Sequence, residues 1–484
     1  MSTTEVHTDL SRRGFVQAGA VAGAGVALAG STAVLGSAPG ALATPAAGHR
    51  EGRHPGYGPL LPDPDGILSL PAGFSYRVLT RAGRTRLAGG EATPDRHDGT
   101  GVFAGPRGAD LLVVNHELKG ARSRWAHPVP LSPGLVYDPA ASGGCTVVEV
   151  ADGGAHVTEW VGIAGTSTNC AGGTTPWGTW LTCEENSDRA GENGMTRDHG
   201  YVFEVDPFDH EANLDPRPLK ALGRFDHEAV VVDPTHGHLY LTEDATGPNG
   251  LLCRWTPPPG FRHGRGRLRT LPDDAGRLQA FRCFDSRGRF VDDLSRAVRI
   301  GTVYGVDWAD VPDRDARRTP VRKQFADGRI TRARKLEGMW WADGGAYFVA
   351  SYARGDDSPG VPHDGQVWFY EPRRRTLTLR LRFGVAPEPF AAGRPDGPDN
   401  ITVSPYGGLI IAEDGRGHQH LFGATEDGRT YPLARNEVNI GTAAEPEFSE
   451  FAGVVFSPDG GTLYASIQDP GILLAITGPW RRQR

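Results

Sequence analysis

The chain has no stretch of sustained helical periodicity, no basic tract and, beyond its first residues, no long apolar run. The first absence excludes helical bundles and layered α/β folds. The second, together with a formal net charge of −7, leaves nucleic acid without a surface to bind specifically. The third excludes a stable membrane anchor, because the one apolar run, from Val16 onward, is too short and too Gly-rich to span a bilayer. Cysteine is sparse, with Cys145, Cys170, Cys183, Cys253 and Cys283 only. A disulfide-dense scaffold is therefore excluded as well.

What is present begins with an address. SRRGFV at residues 11–16 is a twin-arginine pattern ahead of the apolar run, and Ala41-Leu42-Ala43 supplies a small-x-small cleavage site. The expectation is a signal peptide over residues 1–43 and a single mature domain over 44–484, secreted or otherwise extracytoplasmic, exported already folded by the twin-arginine machinery. In an oxidising compartment four of the cysteines could form two disulfides and leave one thiol over. Cys170, in the Gly-rich stretch NCAGGTTPWGTWLTCEEN, is the thiol best placed for chemistry.

Gly 67 and Pro 38 fit many tight turns between short strands. Several segments can be laid over one another: those starting at Asn169, Arg224, Leu336, Pro398 and Glu450, with a weaker copy from Gly101. Each has a polar start, an apolar strand, a Pro/Asp/Gly turn, a second apolar strand, an acidic end, and a third strand after a loop. This predicts an all-β fold, a β-propeller of about six blades with loop insertions, notably over residues 256–327. An array of β-sandwiches is the rival, but its copies would not share so constant a polar position.

That position is found by counting six residues back from the turn proline. Pro176 leads to Cys170, Pro234 to Glu228 and Pro405 to Asp399, and Glu337 falls at nearly the same place in its own copy. The innermost strands of a propeller line its channel, so these side chains converge on one mouth, with His227 and Asn400 beside them. The second strands end in Glu184-Glu185, Glu243-Asp244 and Glu413-Asp414, with Asn115-His116-Glu117 closing the weak copy, and antiparallel pairing brings these ends to the same mouth. So many carboxylates repel one another unless cations are bound. Oxygen ligands in number suit calcium, and a thiolate among them suits a transition metal, iron or zinc. Arg334, Lys335, Arg354 and Arg394 are candidates for steering an anionic substrate, while Trp340 and Trp341 read as core.

Together these segments resemble the PhoX-type alkaline phosphatases, of which this chain looks like a shorter relative. The likeness rests on the twin-arginine leader, NHE, NCAGGTTPWGTWLTCEEN, HEA, TED, EGM, PDNITVSPYGGLIIAED and the FSPDG and LYASIQDPG pieces of the last copy. The resemblance implies a six-bladed propeller with a di-iron (Fe3+) site and Ca2+ ions at one end of the channel, hydrolysing phosphate monoesters. Carried over by motif, Cys170 is then the iron-bridging or iron-binding thiolate. Glu184, Glu185, Glu228, Glu243, Asp244, Glu337, Asp399, Glu413 and Asp414 are the carboxylates from which iron and calcium ligands are drawn. The expected partners are a small-molecule phosphate ester and the export machinery, with the protein a monomer. The chain departs from the family at RKLEGMWW, where the phosphatases keep a more polar stretch after the glutamate. Two alternatives stay open: a calcium-dependent lactonase, and a non-catalytic propeller closed by metals.

Overall fold

The computed structural model describes residues 55–151, 155–355, 360–385 and 394–482. The expected leader and its cleavage site lie outside them. Short apolar strands broken by Gly, Pro and Asp turns cannot bury a face alone, so they pair into small antiparallel sheets that must stack on one another. The innermost strands of successive sheets are His97–Ala104, Asn169–Thr174, His227–Val232, Leu336–Ala342, Pro398–Val403 and Phe451–Phe456. Each packs beside the next, and the last returns to the first, so the sheets radiate from a closed ring around one axis. This is the β-propeller that the repeats predict.

The ring is closed by the chain's two ends. The early strand Ser75–Arg81 pairs antiparallel with Ile472–Thr477, setting Val78 opposite Leu474, so the last blade takes its outer strand from the start of the domain. The Tyr57, Phe74 and Trp480 rings then pack edge to face at this seam, with Phe74 4.7 Å from each of the other two. Close approach of the inner strands needs glycine at particular points. A Cβ on Gly173 would lie 1.7 Å from the carbonyl oxygen of Val230 in the next blade. The stretch the sequence leaves irregular, residues 256–327, holds two long strands, Arg277–Phe284 and Val303–Asp310, and the short Phe290–Val291 paired with the first. The second long strand pairs with the first and then with Thr376–Phe383, welding the third and fourth blades into one continuous sheet.

The core lies between blades, and the cysteines belong to it. All five are free and buried, so the two disulfides that the sequence allows do not form. Cys145, Cys183, Cys253 and Cys283 fill apolar layers, and Cys170, at the edge of one of them, alone lies among the carboxylates at the axis. The expected result of thiol titration is no reaction with a bulky aromatic disulfide in the native state and five equivalents after denaturation. Fewer than five in the denatured, unreduced protein would reveal a disulfide.

Candidate metal centre

The six inner strands share one irregularity. Each has a register pair at or next to its start, His97 opposite His116, Asn169 opposite Glu184, His227 opposite Glu243, Leu336 opposite Ala350, Pro398 opposite Glu413 and Ala452 opposite Ser466. In every case two residues on the inner strand then oppose one on its partner, which is a β-bulge. A bulge bends the strand and re-aims a side chain. The first bulge residues are Asp98, Cys170, Glu228, Glu337, Asp399 and Gly453. The proline count finds three of these six, and alignment of the copies adds Glu337. Asp98 and Gly453 complete the ring of positions.

Neighbouring blades hold the bulges in place. Asn115 Nδ2 donates to the carbonyls of Cys170 and Ala171 at 2.7 and 2.8 Å, and Thr242 Oγ1 donates to the carbonyl of Glu337 at 2.9 Å. Asn400 donates to the Asp399 carboxylate at 2.7 Å and accepts from the Gly453 amide at 2.7 Å. His227 takes no such part: its ring is buried against Phe225 and bonded to the Gly223 carbonyl, and burial holds it neutral, down at about 3.

Three groups of potential ligand atoms follow from this geometry, each with its atoms within 4.8 Å of one another. They are Cys170 with Glu185 and Glu228; Glu228 with Glu337 and Asp399; and Asp399 with Asp414 and Glu450. Glu228 and Asp399 are each shared, so seven donors form one unbroken run. Burial, then the charges of neighbouring carboxylates, pushes Glu185, Glu228, Glu337 and Asp98 well above the ordinary carboxylate range. The Cys170 thiol is pushed up by the same causes. A buried thiol and carboxylates that cannot ionise together without cations are the donor set of a metal centre, and the residues present fit one.

Of each acidic pair at a second-strand end, only the later member enters this run or touches it. Glu185 and Asp414 belong to it, and Asp244 reaches Lys335. Glu184, Glu243 and Glu413 do not, and the structure corrects the expectation that both members face the ions. Adjacent strand residues point to opposite faces, so one of each pair turns back into its own blade. Glu184 accepts from the amides of Ser167, Gly200 and Tyr201 and from His199 Nδ1. Glu413 accepts from the Asp396 and His420 amides, and Glu243 pairs with Arg322 at 3.0 Å. All three clamp the loops that carry the mouth.

The cations are arranged differently from expectation. Lys335 Nζ lies 2.8 Å from Asp244 and 2.7 Å from Glu337, inside the cluster. Its charge overcomes the burial that would raise Asp244 and holds that carboxylate below its usual range. Arg354 is instead paired with Asp364 and Asp396, at 2.6 and 3.2 Å, and Arg394 is exposed. Arg334 donates to the Tyr352 carbonyl at 2.9 Å. The sequence reading missed Arg96, which bridges Glu117 and Asp469 at 2.7 Å each. Arg96 and Lys335 are equivalent: each sits just before an inner strand with positive φ, 55° and 47°. Gln468, also missed, donates to Asp98 at 2.6 Å and Glu117 at 2.9 Å. Trp340 and Trp341 pack into the hydrophobic layers between blades.

A profile of the alkaline phosphatase PhoX family matches residues 55–159 and 151–471. Among solved structures, Pseudomonas fluorescens PhoX in complex with vanadate, a transition state analogue, aligns with a TM-score of 0.62 at 20% identity over 85% of this chain and 96% of that one. The periplasmic gluconolactonase of Pseudomonas aeruginosa aligns with a TM-score of 0.38 at 13% identity over 85% and 95%. The gluconolactonase XC5397 of Xanthomonas campestris gives 0.37 at 14% identity over 81% and 98%. No curated protein matches the chain. Among the described residues, no helix is long and apolar enough to cross a membrane. With the shared fold, the profile match over nearly all of the described chain makes it a member of the PhoX alkaline phosphatase family.

Proposed function

We propose that the protein is an exported, metal-dependent phosphatase acting on phosphate monoesters at this mouth, with iron and calcium as its ions. The observation that carries the reading is the run of seven donors, a thiol at one end and carboxylates throughout. Cys170, Glu185 and Glu228 form the pocket suited to iron, since a thiolate favours a transition metal. The groups built on Glu337, Asp399, Asp414 and Glu450 offer oxygen alone and suit calcium. When bound, the ions supply Lewis acidity toward a phosphoryl group and the water that attacks it. A calcium lactonase has no use for Cys170 in this run, which favours the phosphatase.

The chain's own part is to hold the ions and bring the anion to them. Lys335 has three N–H donors and spends two on Asp244 and Glu337, leaving one for a phosphoryl oxygen. Arg354 and Arg394 have no role in this reading, the first because Asp364 and Asp396 occupy it. Elemental analysis of the purified protein beside a chromogenic phosphomonoester assay tests the whole. Iron with calcium and turnover is the expected result, and a metal-replete protein inactive on every ester would leave only a metal-stabilised propeller. Lys335→Ala should keep its metals and lose roughly ten- to a hundredfold in kcat/KM, the worth of one charged hydrogen bond. Unchanged kcat/KM would remove Lys335 from the anion site. Export by the twin-arginine route belongs to the same proposal, and replacing Arg12 and Arg13 by lysine should leave the precursor inside the cell.

A further inference from the structure

The residue that follows the axis-facing end of a second strand is small or of modest size in three blades: Asn186, Ala245 and Gly415. In the fourth blade the same place holds Tyr352. Its position is fixed from several sides. The Ser351 amide donates to the Lys335 carbonyl at 2.9 Å, which sets Tyr352 on the rim beside the cluster's lysine. Ala353 and His363 exchange backbone hydrogen bonds at 2.9 and 2.8 Å just beyond it. Two guanidinium carbons lie over the ring, Arg334 at 5.0 Å and Arg354 at 5.7 Å from its centroid. Both arginines are themselves tethered, Arg334 to the Tyr352 carbonyl and Arg354 to Asp364 and Asp396. The ring is only partly buried, belongs to none of the hydrophobic clusters, and its hydroxyl has no hydrogen-bond partner among the described residues. An aromatic group held between two tethered cations thus keeps part of its surface in water.

We infer that Tyr352 is a specificity-determining residue that contacts the leaving group of the ester, favouring monoesters whose leaving group is a flat ring. The inference rests on the phosphatase reading above. A phosphoryl group drawn to Lys335 and the cluster must leave the rest of the ester lying against the rim. There a planar leaving group meets the edge of Tyr352 and the plane of Arg334, gaining aromatic and cation–π contact. A flexible polyol gains almost none.

The test compares metal-loaded wild type, Tyr352→Phe and Tyr352→Ala on phenyl phosphate and on glycerol phosphate, with metal content and melting temperature measured for each. Comparing each variant with wild type on the same ester cancels the intrinsic reactivity of the leaving groups. Tyr352→Ala should lose about five- to tenfold in kcat/KM on phenyl phosphate and less than about twofold on glycerol phosphate. Tyr352→Phe should keep the wild-type preference. Equal losses on the two esters, or none on either, would overturn the assignment. Should wild type hydrolyse neither ester, the phosphatase reading fails, and the platform is then read by calorimetry with phenylphosphonate and methylphosphonate. A preference for the phenyl compound that Tyr352→Ala abolishes supports the platform, and equal affinities overturn it.

Discussion

Glu228→Ala is expected to empty two ion positions at once and to abolish hydrolysis, because its carboxylate is shared between the thiol-bearing group and the next. Ligand loss removes transition-state stabilisation worth several kcal/mol, so kcat should fall by at least about a thousandfold. Glu450→Ala touches only the last group and Cys170→Ala only the first, so each should lose fewer ions, with Cys170→Ala losing iron selectively. Elemental analysis of the three variants ranks them. Glu228→Ala losing no more metal than Glu450→Ala would contradict the shared-ligand arrangement.

A second readout separates metal binding from scaffold. Burial and neighbouring charge raise Glu228 in the folded chain above its unfolded value. A raised folded pKa means stability present below the unfolded value and lost as pH rises, so without ions an ionised Glu228 is a cost at neutral pH. Glu228→Gln removes that charge while keeping the shape. In chelator the variant should melt no lower than wild type, and in saturating calcium and iron it should melt lower, since metal binding to the native state stabilises it by mass action. Identical ranking in both conditions would show that no ion sits at Glu228.

Much of this site was legible because a hairpin is a ruler. Where the turn proline keeps a fixed distance from the bulge, counting back from it lands on Cys170, Glu228 and Asp399 without knowledge of the fold. The ruler fails in the first blade, where the turn around Pro106 has a different length and six residues back is Thr100, two past Asp98. It fails again in the last blade, where the bulge position is Gly453 and the carboxylate comes from Glu450, ahead of the strand. The acidic pairs announced that carboxylates gather at strand ends. Which member faces the axis depends on strand phase, and a bulge upsets the phase that period-two counting assumes. The cations were hardest to read. Arg96 and Lys335 are set by a left-handed residue before the strand, and neither is Asn, Asp or Gly, the types that signal such a turn.

The clamps behind the cluster hold the loops that carry its ligands, and His199 is part of the one built on Glu184. Its ring is fully buried between Glu184, 2.6 Å from Nδ1, and Asp138, 3.3 Å from Nε2. Burial alone would lower the imidazole, but the charge of Glu184 and the hydrogen bonds to Asp138 and Glu184 outweigh it and raise it to about 10. Asp138 is held below the ordinary carboxylate range, burial being outweighed by His199, Thr196 and backbone amides. Replacing His199 by alanine leaves two buried carboxylates without their cation, which costs about 3–5 kcal/mol. The sign of the pH dependence follows from the two shifts. The histidine's contribution is complete below its unfolded value of about 6.5 and disappears as pH rises through about 10. Asp138 contributes above its unfolded value of about 4 and loses that contribution as pH falls through its depressed one. The stability gap between wild type and His199→Ala, from urea denaturation of the metal-loaded proteins, should therefore be widest between about pH 4 and pH 6.5 and narrow steadily toward about pH 10. A gap constant from about pH 6 to pH 10 would mean that His199 is neutral in the fold. The consequence reaches the chemistry, because Glu184 is the residue before Glu185 and the loop it clamps frames the thiol-bearing group. A clamp whose proton is held until about 10 keeps that loop in place in alkaline solution, where an ordinary histidine would have released its proton.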